Sequence, residues 1–367
     1  MGNASEAFLL ISKISKDSDI LMGTIYIIMG VLSMLGNGIL LFVAYRKKST
    51  LKPAEFFVVN LAISDLGMTI SLFPLAIPSA FTHMWLFNKT ICTGYAFCGV
   101  LFGLCSLTNL TVLSSVCWLK VCCPNYGNKF SYCHASMLVA GVWCYAGVFA
   151  VGPLSGWGEY GPEPYGTACC INWEAPGRSF AAMSYIICLF FFCYIVPSTV
   201  IFLSYTFILM TVRGSRQAVQ QHMPPQNKIS NAQTLIIKLS VAVCIGFLTA
   251  WSPYAIVAMW AAFGDALEVP ALLSLGQLSS PSPQLFTTLL FIWSSSPTSA
   301  GPFVEMWRCA EAHSVDVSTA PHQRERAVNS ITKKNATPHS SLMDYRRTTG
   351  PPANTVLALK HSLSDFL

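Results

Sequence analysis

Apolar residues run along this chain in long blocks separated by short polar stretches. Six blocks are clear: Ile20–Tyr45, Phe56–Phe81, Cys92–Cys122, Met137–Leu154, Met183–Val212 and Leu235–Phe263. Each approaches or exceeds the roughly 20 apolar residues that a hydrocarbon core of about 30 Å requires. Lipid offers the backbone no hydrogen-bond partners, so each block must be a helix rather than an open strand. A weaker seventh block, Ala271–Trp293, carries Pro281 and Pro283 among serines. The pattern predicts an all-α membrane protein, a seven-transmembrane helix bundle whose seventh helix is atypical. Residues 1–19 form an amino-terminal tail and 20–300 the bundle, with the seventh helix degenerate from about 276. Residues 301–367 form a polar tail rich in Ser, Thr and Pro that reads as disordered.

Composition strengthens this division. Of 367 residues, 53% are hydrophobic and 10% charged, against roughly 25% charged in soluble domains. The net charge of +6 is unevenly placed. Arg46, Lys47, Lys48 and Lys52 follow the first block, Lys120 and Lys129 the third, and Arg213, Arg216, Lys228 and Lys238 flank the link between the fifth and sixth. The positive-inside rule makes these loops cytoplasmic and puts the amino terminus outside; the plasma membrane is the expected location. Basic residues placed so close to membrane spans meet lipid headgroups, and no nucleic-acid partner is expected. The first twenty residues show no cleavable signal. Asn3 and Asn88 begin glycan-acceptor triplets on the outer side, whereas Asn109 matches the triplet inside the third block and is expected to be inert.

Most of the 14 cysteines lie within the apolar blocks, where they read as small apolar side chains. Cys92, Cys169 and Cys170 fall on the oxidising side. A bridge from Cys92 to Cys169 or Cys170, with Cys169 preferred, would staple the second outer loop over the helix mouth. No metal-ligand spacing, nucleophile elbow or phosphate-binding glycine loop is present, so neither a metal nor an enzymatic activity is expected.

One landmark per helix then resembles the rhodopsin-like G protein-coupled receptors. These are Gly36-Asn37, Leu61-Ala62-Ile63-Ser64-Asp65, Cys92, Trp143, Pro197 with Tyr205, and Phe247-Leu248-Thr249-Ala250-Trp251-Ser252-Pro253-Tyr254. Within that family the chain resembles opsins, closest to the neuropsin group. The likeness rests on Leu51-Lys52-Pro53-Ala54-Glu55, on Pro162–Cys169, on Ala250–Ala255 and on Trp260–Gly264. The resemblance implies a photoreceptor class, retinal as cofactor and a heterotrimeric G protein as partner.

Asp65 is a carboxylate within an apolar helix, where an ionised group costs at least about 2.5–3.5 kcal/mol. It must face polar neighbours, Asn37 first. The pair reads either as a hydrated ion site linking helices 1, 2 and 7 or as a polar clamp between helices. Pro253 removes a backbone hydrogen bond and bends helix 6, so it is a candidate hinge. Trp251, two residues earlier, and Tyr254 are placed by the resemblance in the ligand pocket. Pro197 bends helix 5 in the same way, beside Phe190, Phe191 and Phe192, which could line an apolar cavity or meet lipid. Glu163, six residues before Cys169, matches an opsin glutamate that balances a protonated retinal imine, and Tyr95 occupies a pocket position. In the absence of a cation Glu163 reads as a solvated loop residue.

The chain departs from the family at two places. Opsins hold retinal through a helix-7 lysine, yet no lysine stands between Lys238 and Lys333. The two alternative alignments put Ser282 or Ser295 in that slot, and neither can form an imine. Covalent retinal is therefore not expected. At the inner end of helix 3, Val116 and Cys117 occupy the acidic and arginine positions that engage the G protein. The likeness stops near Leu275, directly before Ser279-Ser280-Pro281-Ser282-Pro283. Three readings follow: an opsin-like receptor without its retinal anchor; a receptor for a diffusible ligand; or a splice or aberrant form. That last form would be a non-signalling or dominant-negative partner forming hetero-oligomers with an intact opsin, and retention in the endoplasmic reticulum would accompany it.

Overall fold

The computed structural model describes residues 10–220, apart from 47, 50, 52, 128, 164–166 and 174, together with Ser252, Ala255, Ile256 and Met259. The expectations for Asn3, Trp251, Pro253 and Tyr254, the whole seventh block and the carboxy-terminal tail lie outside the described residues.

Five of the apolar blocks are helices long and apolar enough to cross a membrane. Helix α1 (Lys16–Arg46) begins four residues before its apolar block. Ser15 accepts the Ser18 backbone N–H over 3.2 Å, and Asp17 and Asp19 favour the positive end of the helix dipole. The helical part of the amino-terminal tail is thus explained by capping chemistry, which a hydropathy pattern does not see. Helix α2 (Glu55–Phe81) contains Pro74 and Pro78. Helix α3 (Lys89–Cys122) is capped by Asn88, whose side chain accepts the Ile91 N–H over 3.0 Å. A four-residue turn, α4 (Pro124–Gly127), precedes α5 (Tyr132–Val151). Helix α5 starts five residues before the apolar block because Ser131 and His134 form a reciprocal capping box.

The fifth span is not one regular helix. It runs as α6 (Phe180–Phe190), a π-turn (Phe191–Ile195) and α7 (Val196–Gln220). This wide turn lies on the amino-terminal side of Pro197, where the sequence predicts a bend. Proline has no N–H to offer the preceding turn, and the Val196 N–H reaches back to the Phe191 carbonyl.

Helix α3 is the centre of the described bundle, packing against α2, α5 and α7, while α1 packs on α2. Leu104, Cys105 and Leu107 of α3 pack with Val142, Ala146, Ile201 and Tyr205 from its neighbours. Large apolar side chains such as Leu35, Phe42 and Phe202 face outward, as lipid-facing positions must. Two small antiparallel hairpin-like pairs cap one end. Strand β1 (Leu10–Ile11) pairs with β2 (Met84–Trp85), and β3 (Tyr160–Pro162) pairs with β4 (Cys169–Ile171).

Candidate functional site

The capped end is built around the Cys92–Cys169 disulfide, which joins the first turn of α3 to β4. Strand alternation explains why Cys169 and not Cys170 forms it. Cys169 and Ile171 are buried on one face of β4, while Cys170 points the other way. The bridge closes a loop with a sequence separation of 77 residues and presses the β3–β4 hairpin onto α3.

Register carries Glu163 with it. Pro162 pairs with Cys169, and the Glu163 N–H donates to the Ala168 carbonyl over 2.9 Å. Glu163 and Cys170 of this hairpin lie within electrostatic reach of Tyr95, as does Tyr26 of α1, and Glu163 also acts on Cys170. Burial pushes the Cys170 thiol well above the usual thiol range, and the Glu163 carboxylate adds to that shift. Tyr160 in β3 is also raised, first by burial, and its hydroxyl donates to the Ala150 carbonyl over 2.8 Å. Tyr95 lies edge-on to Trp85 with ring centres 5.3 Å apart. Trp85 is 2% exposed, and its indole N–H is the buried side-chain donor that lacks a partner among the described residues.

Two buried polar groups occupy the middle of the bundle. In the first, Asn37 donates to Ser33 over 3.2 Å. Ser33 and Thr69 share a bond of 2.7 Å, and Thr69 donates to the Asp65 carbonyl over 2.7 Å. The Thr69 proton is committed to Asp65, so Ser33 must donate to Thr69, and the relay runs one way from α1 into α2. The Asp65 side chain, 1% exposed, accepts from Ser106 of α3 over 2.9 Å. Asn37 and Asp65 are therefore connected through Ser33 and Thr69, with α3 recruited as well.

The second group was not anticipated from the sequence. Asn60 accepts from the Trp143 indole over 2.8 Å and donates to Asn109 over 3.0 Å. Asn109 donates onward to the Phe57 carbonyl over 2.7 Å, and Ser64 donates to the Cys105 sulfur over 3.0 Å. Asn109 is fully buried with both ends of its amide engaged, which is why its glycan-acceptor triplet is unusable in the folded protein. Two asparagines within neighbouring apolar blocks were the available signal, since such groups pair across helices.

The candidate glycan acceptor Asn88 is exposed, with its oxygen occupied by the helix cap. At the far end of α3, Val116 and Cys117 are both buried, and Lys120 is largely buried with them. Phe191 and Phe192 are about half exposed, while Phe190 stacks on Tyr194 at 5.5 Å.

The chain matches the family described as 7 transmembrane receptor (rhodopsin family) over residues 36–299. It is 37% identical to human Opsin-5 over 266 residues, covering 72% of this chain and 74% of that protein. Human visual pigment-like receptor peropsin is 31% identical over 259 residues, covering 71% and 76%. The fold matches the crystal structure of squid rhodopsin with a TM-score of 0.70 and 26% identity, over 85% of this chain and 90% of that one. With five spanning helices centred on α3, which packs against three of the others, and the disulfide across its mouth, the chain belongs to the rhodopsin family of seven-transmembrane receptors. Within that family it is an opsin-like receptor of the neuropsin group. Such proteins are multi-pass membrane receptors and not enzymes.

Proposed function

We propose that this chain is an opsin-like receptor that does not hold retinal covalently. The observation that carries this reading is the absence of any lysine between Lys238 and Lys333, since a hydroxyl at Ser282 or Ser295 cannot form an imine. Glu163 lies within electrostatic reach of Tyr95 at the capped end, which supports a pocket there, and Trp251 and Tyr254 complete the candidate pocket in sequence. Its ligand is then a diffusible one. Pro253 acts as the helix-6 hinge, and Asn37 with Asp65 as the polar clamp of helices 1 and 2. Glycans at Asn3 and Asn88 accompany an amino terminus outside the plasma membrane. Coupling to a heterotrimeric G protein, the family's partner, is weakened by Val116 and Cys117 at the acidic and arginine positions. The deciding measurement is incubation of the purified chain with retinal followed by borohydride. No reduced adduct is expected on the protein, and a trapped adduct would overturn this reading.

A second reading is favoured by one observation, the abruptness of the change after Leu275, where a good match gives way at once to Ser279-Ser280-Pro281-Ser282-Pro283. Gradual divergence would leave an apolar block with altered pocket residues. On this reading the chain is a splice or aberrant form that associates with an intact opsin and limits its signalling or its exit from the endoplasmic reticulum. Sequencing transcript and genomic DNA across Leu275–Gln277 tests it. A junction lying within one uninterrupted exon in several individuals would remove the splice explanation.

A further inference from the structure

The π-turn in the fifth span has a consequence that reaches the sixth. Inserting one extra residue into a helical turn rotates everything beyond it by about 100° relative to a regular helix. It also frees backbone carbonyls, and side chains recapture them here. Tyr145 of α5 donates to the Phe192 carbonyl over 2.8 Å, and Ser198 donates to the Tyr194 carbonyl over 2.6 Å. The wide turn is thus held from the side of α5 and from below. Within it, Tyr194 stacks on Phe190 with ring centres 5.5 Å apart and ring planes 27° apart. Its hydroxyl lies 2.8 Å from the Ser252 hydroxyl. Ser252 is helical, as are Ala255, Ile256 and Met259, and it stands in sequence between Trp251 and Pro253.

We infer that Tyr194 is a positioning residue for the sixth span. The π-turn presents its hydroxyl to Ser252, and that bond ties the described part of the sixth block, Ser252, Ala255, Ile256 and Met259, to the fifth span. The inference does not depend on whether the chain binds retinal. Tyr145, the π-turn, Tyr194 and Ser252 then form one mechanical line from α5 through the fifth span to the sixth. A displacement of the π-turn by a ligand at Phe190–Phe192 would be passed to Ser252 through this bond.

Hydrogen exchange of the full-length protein in detergent micelles, followed by mass spectrometry of peptides covering 252–263, tests this. Tyr194→Phe and Ser252→Ala should each raise exchange in these peptides about three- to fivefold, the range of a single interhelical hydrogen bond. The double variant should exchange no faster than either single one. Ser252→Thr, which keeps a hydroxyl, should exchange like the unaltered protein, a rescue that a merely space-filling role would not produce. Unchanged exchange in both single variants, additive effects in the double variant, or failure of Ser252→Thr to rescue would each overturn the assignment. If Tyr194→Phe does not fold, the contrast between Ser252→Ala and Ser252→Thr still decides it.

Discussion

Trp143 and Asn60 lie 83 residues apart in sequence and meet through an indole-to-amide hydrogen bond of 2.8 Å. Asn60 is the branch point of the polar group between α2, α3 and α5, because it also donates to Asn109. Removing a branch point orphans its partners, whereas removing one arm orphans a single group. Asn60→Ala should therefore destabilise the folded protein by about 2–3 kcal/mol, and Trp143→Phe by about 1 kcal/mol. Denaturation in detergent, followed by tryptophan fluorescence for the first variant and circular dichroism for both, measures the order. Equal costs would show that Asn60 is not the organising residue.

Glycine positions allow a second test with opposite signs. A Cβ added to Gly67 would lie 2.5 Å from Phe102 Cε1, and Phe102 itself stands edge-on to Trp143 at 6.0 Å. The ring cannot retreat without disturbing that contact, so Gly67→Ala should cost about 1–3 kcal/mol. Gly38 meets nothing within 4 Å, and Gly38→Ala should be neutral or stabilise α1 by up to about 1 kcal/mol. Under one detergent condition the thermal midpoint of Gly67→Ala should fall below the parent's and that of Gly38→Ala at or above it.

The spanning helices were legible because hydropathy and lipid physics act on the same variable. The capped end was less so. Strands of two and three residues, such as Met84–Trp85 and Cys169–Ile171, show no alternation long enough to count, and their register is set by the disulfide and by helix ends far away in sequence. Helix starts at Lys16 and Tyr132 were hidden because capping uses polar residues outside the apolar blocks. Asp65 was visible as a carboxylate in lipid, but its link to Asn37 through Ser33 and Thr69 depends on helix rotation. The choice of Cys169 over Cys170 likewise follows from which face of β4 is buried, a property of the folded hairpin.

Asp19 and His83 predict an asymmetric pair. The Asp19 carboxylate is 2% exposed and bonds to His83 Nδ1, while the histidine side chain is 20% exposed. His83 also sits at φ 60°, an uncommon conformation for a residue with a Cβ, and its carbonyl accepts the Ser12 N–H over 3.0 Å. Removing the histidine strands a buried carboxylate, whereas removing the carboxylate leaves a histidine that water can reach. His83→Ala should cost about 2–3 kcal/mol and Asp19→Ala about 1 kcal/mol. His83→Gly should cost less than His83→Ala, since glycine adopts the positive φ freely. Limited proteolysis between residues 10 and 15 should quicken in the same order, because β1 is tied to this turn.

Trp85 offers a substitution that should be tolerated. Its N–H has no partner among the described residues, so Trp85→Phe deletes an unsatisfied donor while keeping the edge-on contact with Tyr95. The cost should stay within about 1 kcal/mol, against about 3–5 kcal/mol for Trp85→Ala, which empties a buried site. A large loss in the phenylalanine variant would mean that the indole N–H has a partner in the working protein.

Cys170 makes stability depend on pH in a defined direction. Part of its surface stays open, yet its surroundings hold the thiol well above the usual range, with burial the larger cause and the Glu163 carboxylate the next. The thiol also donates to the Ile171 carbonyl over 3.1 Å, a bond that the thiolate cannot make. Raising a thiol's folded-state value means that the folded protein holds the proton more tightly than the unfolded chain does. The contribution is complete below the unfolded thiol value of about 8.5 and is lost progressively as pH rises above it, by at most about 1.4 kcal/mol per pH unit. Cys170→Ala should therefore flatten the fall in stability between about pH 8.5 and 9.5 while leaving the Cys92–Cys169 bridge intact. Glu163→Gln should leave the slope in this window nearly unchanged, because burial, the larger cause, still holds the folded thiol protonated, and should lower only the pH at which the loss ends. Equal slopes for the parent and Cys170→Ala across that window would show that the thiol titrates as it does in the unfolded chain, and maleimide labelling of folded protein at pH 8 would then reach Cys170 as readily as the exposed Cys133.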